Sequence, residues 1–312
     1  EDLNFGFKRG RFHVEKQIYQ KFEKMLIDKL NYLVFKDKKA DEEGGVLNGY
    51  QLTERFESFQ KMGKQCGFLF YVPAGYTSKI DPLTGFVNMF ELKGLTSIDK
   101  KRDFFAKLDS LIYDSKTDSF IFSFDYKNFG GKAAEEMKKT KWAVYSKGKR
   151  IVFDKKTRGS VTVDPTKQLK ELFTNEKIAW EEGNELLDVV LELGADNETL
   201  KTQAVLKFYD TLYRSFSATM QMRNSNNQTG EDYIISPVCT EDGIFYDSRE
   251  ELLKADRGIT AILPIDADAN GAYHIALKGL YLLNQFDKTE DGLLKKIDMR
   301  ISNVNWFSFR QH

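Results

Sequence analysis

The chain begins and ends with a pattern of amphipathic helices and a buried strand, and a long segment of different character interrupts this pattern. This arrangement limits the possible folds. From Glu15, apolar residues recur at helical spacing over about 20 positions. A second helical pattern ends at Gly63, and the apolar run 66–72 that follows predicts a buried strand. Because this α/β residue pattern returns at Ala261, the sequence predicts an α/β fold whose two parts, 1–75 and 261–312, enclose an insertion.

Residues 76–260 have a different pattern and are predicted to form one inserted α+β domain. Short aromatic strands alternate there with lysine-rich turns, and helical stretches follow. The predicted elements are strands at 120–124 and 142–145 and helices at 166–173 and 197–222. After the insertion, a helix is predicted from the DADANGAY segment through Leu283, and the aromatic segment 297–309 is expected to dock as a last element.

Composition excludes some classes of protein. The 312 residues are 41% apolar, which suffices for a sizeable core, and carry 47 basic and 47 acidic side chains. No apolar run approaches about 20 residues and no signal-peptide pattern is present, so we expect a cytosolic protein without a membrane span. Charge is segregated, with eleven basic and four acidic residues between Asp125 and Arg158. Such a segment could contact a phosphate backbone or form a solvated face of mixed charge.

Several catalytic chemistries find no support in the residues. His13, His274 and His312 are the only histidines, and none lies in a G-x-S-x-G or Cys-His context. Cys66 and Cys239 lack the spacing of zinc ligands. Phosphate-binding and dinucleotide-binding glycine loops are missing as well. Of the catalytic chemistries considered, only one that uses Asp and Glu carboxylates remains.

Carboxylates stand at the edges of predicted elements at both ends of the chain. Glu1 lies at what resembles a strand end, and Asp266 and Asp268 lie at the start of a helix. Carboxylates on neighbouring elements can hold Mg²⁺, and a pair of such ions about 3.5–4 Å apart supports phosphodiester hydrolysis. The alternative for an Asp at a helix start is a capping role.

Two further segments could bind phosphate. Lys8, Arg9 and Arg11 lie in a loop with interleaved phenylalanines, which is typical of single-strand binding but also of a basic turn whose rings face the core. Arg223 is predicted to end a helix and to precede a polar loop. There it could hold a phosphate with two hydrogen bonds or simply complement the helix dipole.

Taken together, a set of motifs resembles one family. They are EDLNFGFK at 1–8, FEKMLIDKLN at 22–31, GGVL at 44–47, FYVPA at 70–74, TSKIDP at 77–82, LTGFV at 83–87, QMRNS at 221–225 and DADANGAYH at 266–274. In this order they resemble the C-terminal quarter of type V-A CRISPR effectors, the RNA-guided DNA endonucleases first called Cpf-one. The resemblance covers nearly the whole chain and is loose over residues 91–212.

The resemblance implies an RNase H-like RuvC fold, partial here and interrupted by a Nuc domain. Residues 1–75 resemble the second RuvC segment, 76–260 the Nuc domain and 261–312 the third RuvC segment. Glu1 and Asp268 match two of the family's catalytic carboxylates, which bind Mg²⁺ in a two-metal site. Asp266 is then a neighbour of this site and not one of its ligands. Arg223 matches the Nuc-domain arginine that helps to place the DNA strand for cleavage, with Ser225 and Asp232 nearby. Lys8, Arg9 and Arg11 would line the path of single-stranded DNA.

The resemblance also implies binding partners and indicates that one catalytic segment of the family has no counterpart in this chain. The partners are a CRISPR RNA guide, target DNA and the N-terminal remainder of a monomeric effector in a prokaryotic cytoplasm. Nothing in this chain corresponds to the segment with the family's first catalytic Asp, so we expect a fragment that is inactive or nearly inactive alone. The alternative is a non-catalytic module that binds single-stranded nucleic acid or has a structural role. Transposon-encoded guided nucleases are disfavoured because the Cys-rich zinc motif that they usually carry is missing.

Overall fold

The computed structural model of the protein describes residues 18, 21–22, 25–26, 34–49, 72–90, 92–154, 157–193, 202–290, 292, 295 and 301–311. The chain divides into two compact units. The first unit is Glu1–Thr77 with Ala272–Trp306, and the second unit is Ser78–Gly271 with Phe307–His312. The assignment of residues 1–75, 76–260 and 261–312 to RuvC and Nuc segments stays a prediction.

The described helices and strands are mixed along the chain. In chain order they are α1 (Ile98–Phe105), β1 (Ser110–Asp114), β2 (Ser119–Asp125), α2 (Lys132–Glu136), β3 (Lys141–Tyr145), β4 (Arg150–Asp154), β5 (Gly159–Val163), α3 (Pro165–Asn175), α4 (Leu187–Glu192), α5 (Gln203–Thr219), β6 (Arg223–Asn226), β7 (Glu231–Cys239), β8 (Phe245–Asp247), α6 (Ser248–Asp256), α7 (Ala267–Leu283) and α8 (Asn303–Arg310). The strands form three antiparallel sheets, β1-β2-β3, β4-β5 and β6-β7-β8.

The first sheet is built on an aromatic strand whose side chains alternate between two faces. Phe120, Phe122 and Phe124 of β2 are buried, as expected for a strand with one face on the core. The predicted strands at 120–124 and 142–145 are confirmed as β2 and β3, which pair antiparallel with Phe124 opposite Trp142.

Helix α5 covers the buried face of this sheet. Its apolar residues at positions 205, 208, 209, 212 and 216 follow helical spacing and are buried. The Phe216 ring meets the Phe122 ring at a centroid distance of 5.1 Å in an edge-to-face arrangement. The helix begins at the Thr202 cap, whose hydroxyl accepts a hydrogen bond from the Val205 N–H. The second unit thus has a phenylalanine-rich core.

The boundaries of the predicted helices differ in one place that matters for the site. The helix predicted at 166–173 is confirmed as α3, whose first residue is Pro165 after the Asp164 cap. The helix predicted at 197–222 ends earlier, because α5 stops at Thr219 and Met220 caps it. The chain then turns into strand β6, so Arg223 lies on a strand and not in a last helical turn. The expectation of a helix-dipole role for Arg223 is therefore wrong.

The described part of the first unit contains most of α7 and the start of α8. Lys278 on α7 is buried and donates hydrogen bonds to the carbonyl oxygens of Pro73, at 2.9 Å, and Gly75, at 2.6 Å. Burial lowers the pKa of Lys278 to about 8, and its ammonium lies 5.1 Å from the centroid of the buried Trp306 ring. The predicted last element corresponds to α8, in which Trp306 and Phe307 are buried.

Other predicted elements of the first unit are described only in part. Of the predicted helix from Glu15, the described positions 18, 21, 22, 25 and 26 are helical, and Ile18, Phe22, Met25 and Leu26 are exposed. The second helical pattern and the predicted strand at 66–71 lie outside the described residues, and no strand is assigned to residue 72. Within the described ranges, no helix combines the length and hydropathy that a bilayer crossing needs.

Candidate active site

Two aspartates at the start of helix α7 have different environments. The Asp266 side chain accepts a hydrogen bond from the Ala269 N–H at 2.7 Å, while its carbonyl accepts one from the Asn270 N–H at 2.9 Å. These bonds make Asp266 the helix cap. Asp268 lies one residue into the helix with its side chain 99% exposed. The capping residue and the exposed carboxylate are therefore two residues apart.

Strand β6 presents Arg223 and is held from two sides. On one side it pairs with β7, with Arg223 opposite Ile234. On the other side, the buried Asn224 amide accepts a hydrogen bond from the Ile151 N–H of β4 at 2.8 Å. Gln221 donates to the Ile151 carbonyl oxygen. Side-chain amides here make the hydrogen bonds to β4 that backbone groups of a paired strand would otherwise make. The backbone that carries Arg223 is therefore fixed on both edges.

Ser225 and Asp232, which the resemblance placed near Arg223, lie next to each other on strands β6 and β7. They are directly opposite each other in the β6–β7 pairing. The Ser225 hydroxyl donates to Asp232 Oδ1 at 2.8 Å. Residues 227–230 form the turn between the strands, so the segment around the predicted polar loop is a hairpin.

Arg223 and Asp268 meet although 45 positions of the sequence separate them. Arg223 Nη2 lies 4.0 Å from Asp268 Oδ1, with the two side chains 43% and 99% exposed. An ion pair this exposed adds little stability, so its importance is geometric. Arg223 Nη1 also donates to Ser78 Oγ at 3.2 Å. All three residues belong to the second unit.

The segment that contains Ser78 is joined to helix α7. The buried Asn270 amide donates to the Ile80 carbonyl oxygen at 2.9 Å, and Ile80 forms an antiparallel bridge with Val87. Sequence reasoning assigned no role to Ser78 or Asn270. Ser78 lies in the TSKIDP motif and Asn270 in the DADANGAYH motif, but only the fold shows that these two motifs touch.

The described residues offer one exposed carboxylate that could bind a metal ion, but not a complete metal site. RuvC nucleases typically use divalent metal ions. Within the described ranges, no three acidic, histidine or cysteine side chains come together in a way that could hold an ion. Asp268 offers an exposed carboxylate, which suits Mg²⁺ as one of several oxygen ligands. The other predicted ligand, Glu1, lies outside the described residues, as do Lys8, Arg9 and Arg11.

A comparison with protein families decides the class. The family model of the RuvC nuclease domain matches residues 1–312. The chain belongs to the RuvC nuclease domain family. The expected α/β, RuvC-type fold is thereby confirmed, and the mixed helices and small antiparallel sheets agree with it. As a RuvC nuclease, the protein is a hydrolase that acts on nucleic acid.

Proposed function

We propose that this RuvC nuclease is the cutting portion of an RNA-guided DNA endonuclease of the type V-A CRISPR family, and that it hydrolyses phosphodiester bonds of DNA strands with Mg²⁺. The observation that supports this most is the meeting of Arg223 with Asp268. A cation that can bind phosphate and a carboxylate that can bind a metal ion are the two charges that such hydrolysis needs side by side.

The roles follow from charge and position. Asp268 and Glu1 act as metal ligands, and the chemistry that Mg²⁺ supplies is activation of water and neutralisation of charge on the phosphate. Arg223 binds the phosphate, with Ser225 and Asp232 beside it on the β6–β7 hairpin. In the reaction a water oxygen attacks phosphorus and gives up a proton to solvent, the bond to the leaving oxygen breaks, and that oxygen takes up a proton from solvent. Lys8, Arg9 and Arg11 guide the strand.

The partners in this proposal are those of the CRISPR family. Guide RNA pairs with target DNA and supplies sequence specificity, so the nuclease portion needs only shape and charge. The N-terminal remainder of the effector, including a third carboxylate, completes the site. The proposal also includes a monomeric effector in the cytoplasm of a prokaryote and weak or absent cleavage by the 312 residues alone.

The first prediction tests the catalytic carboxylate in the complete effector. Asp268→Asn removes a metal-binding charge, so we expect the rate of DNA cleavage to fall by about 100-fold or more while guided DNA binding stays the same. The measurement is single-turnover cleavage of an end-labelled target strand at saturating Mg²⁺, with binding followed by gel shift.

Asp266→Asn is the matched control. Asn caps a helix about as well as Asp, so this variant should cleave close to the wild-type rate. Cleavage by Asp268→Asn at the wild-type rate would contradict the role of Asp268. Salt-sensitive binding of single strands that responds neither to Mg²⁺ nor to Asp268→Asn, without cleavage, would support the alternative of a non-catalytic binding module.

A further inference from the structure

We propose that Ser78 is the positioning residue of Arg223: its hydroxyl sets the direction in which the guanidinium faces the strand being cut. The inference rests on the proposed function of Arg223. Within the described residues, the hydrogen bond from Nη1 to Ser78 Oγ, at 3.2 Å, is the only one that the Arg223 guanidinium makes. The other close polar group is the Asp268 carboxylate, 4.0 Å from Nη2.

The geometry assigns different tasks to the two ends of the guanidinium. With Nη1 tied to Ser78, Nη2 faces Asp268, and the group stays planar. Since the side chain is 43% exposed, the remaining N–H groups are open to a phosphate oxygen. A long side chain without such a tie would sample several rotamers, and the tie removes much of that freedom before the substrate arrives.

Ser78 can act as an anchor because its own segment is fixed. Two residues later, Ile80 is held by the Asn270 amide of α7 and by its bridge to Val87. The following turn is closed by Asp81, whose Oδ1 accepts from the N–H groups of Leu83 and Thr84.

Ser78 also lies against the first turns of α7. A Cβ built on Gly271 would lie 3.7 Å from the Ser78 Cβ, which is ordinary van der Waals contact. Helix α7 thus positions both the carboxylate of Asp268 and, through Ser78, the guanidinium of Arg223.

The test is a double-mutant cycle in the complete effector, with single-turnover cleavage of target DNA as the readout. Ser78→Ala should lower the maximal cleavage rate about fivefold and leave the strand concentration for half-maximal rate nearly unchanged. In an Arg223→Ala background, Ser78→Ala should cause no further loss, because nothing remains to be positioned. Ser78→Thr keeps the hydroxyl and should recover most of the rate.

Controls separate positioning from folding. Ser160→Ala is matched, because Ser160 is half-buried on β5 and its hydroxyl makes no hydrogen bond to any residue that the structure describes. Its rate should equal that of the wild type. Thermal melting of every variant shows whether the fold is intact.

Two outcomes overturn the inference in distinguishable ways. If Arg223→Ala impairs cleavage but Ser78→Ala cuts at the wild-type rate, or loses as much in the Arg223→Ala background as alone, the positioning role fails and the proposed function stands. If Arg223→Ala itself cuts at the wild-type rate, the proposed role of Arg223 fails, and the inference fails with it.

Discussion

At the scale of single residues, chemically identical side chains differ because of where their backbone lies. Asp266 accepts hydrogen bonds as a helix cap, whereas Asp268 accepts no such bond from any residue that the structure describes and is almost fully exposed. Asp81 is a third case, since it is completely buried and its Oδ1 also accepts a hydrogen bond from the Thr84 hydroxyl. Burial raises the pKa of Asp81 above its usual range despite lowering by bonds from Ser236, Thr84 and Leu83.

The buried carboxyl of Asp81 leads to a prediction about pH. A raised pKa means that the folded protein holds this proton more tightly than the unfolded chain, so stability falls as pH rises from about 4 through the raised pKa. Asp81→Asn keeps an acceptor and removes the charge. We expect its free energy of unfolding, relative to wild type, to be more favourable at about pH 7 than at about pH 3. Urea unfolding at both pH values measures this difference.

Asp118→Asn is a control of opposite sign. Hydrogen bonds from Lys170 and Tyr113 lower the pKa of Asp118, so its contribution is present above its unfolded pKa and is lost as pH falls. The relative stability of Asp118→Asn should therefore be less favourable at about pH 7 than at about pH 3. The same direction of change for both variants would contradict the assignment of Asp81.

At the scale of elements, strand β6 is short and depends on its neighbours. It has only four residues, yet it carries Arg223 and Ser225. The β7 ladder holds one edge, and the amides of Gln221 and Asn224 hold the other against β4. A four-residue strand is not stable by itself, so the position of Arg223 is a property of the three strands together.

This dependence predicts the effect of removing one amide. Asn224→Ala leaves the buried N–H of Ile151 without its partner, so the free energy of unfolding should fall by about 1–3 kcal/mol. Cleavage should also slow, because the strand that presents Arg223 loses one of its ties. Urea unfolding and single-turnover cleavage at a temperature where the variant remains folded measure the two effects.

Asn128→Ala is the comparison for this prediction. Asn128 is exposed, and its amide donates to the carbonyl oxygen of Lys107 and to Asp109. Water replaces such exposed bonds at little cost, so this variant should change stability by less than about 0.5 kcal/mol. An Asn224→Ala variant as stable as Asn128→Ala would show that the amide tie is not important.

At the scale of the whole molecule, basic residues are concentrated in the segment 125–158. Four exposed lysines flank β3, namely Lys138, Lys139, Lys147 and Lys149. Within the described part of the chain none of the four forms an ion pair. These four charges are therefore not neutralised by an ion pair within the described residues, and we expect them to contact phosphate.

Changing all four lysines to Gln tests this contact. Binding of single-stranded DNA should weaken regardless of its sequence, and the slope of log affinity against log salt should fall by about 0.7 for each lysine that contacts a phosphate. The matched variant with four Arg residues keeps the charge and should keep the slope. An unchanged slope in the Gln variant would show that these lysines form only a solvated face. The measurement is fluorescence anisotropy across a series of salt concentrations.

Features that depend on local periodicity and on motifs could be predicted from the order of residue types. Short aromatic runs between lysine-rich turns predicted β2 and β3, helical stretches predicted α3 and α7, and the motifs predicted a RuvC-type nuclease, which the family match confirms. The end of α5 was predicted too late, because the apolar pattern does not stop where the helix does and the strand ladder of β6 with β7 takes over the backbone bonds.

Which residues meet at the candidate site became known only from the folded arrangement of the chain. Asp266 caps the helix while Asp268 is exposed and faces Arg223, and this difference follows from contacts that no spacing specifies. That Ser78 contacts Arg223 depends on bringing together positions 145 residues apart, which the packing of α7 against the 78–87 segment and the β4–β6–β7 contacts achieve. Residue types and local pattern determine secondary structure, but the side-chain geometry of a site is set by long-range packing, which local patterns do not encode.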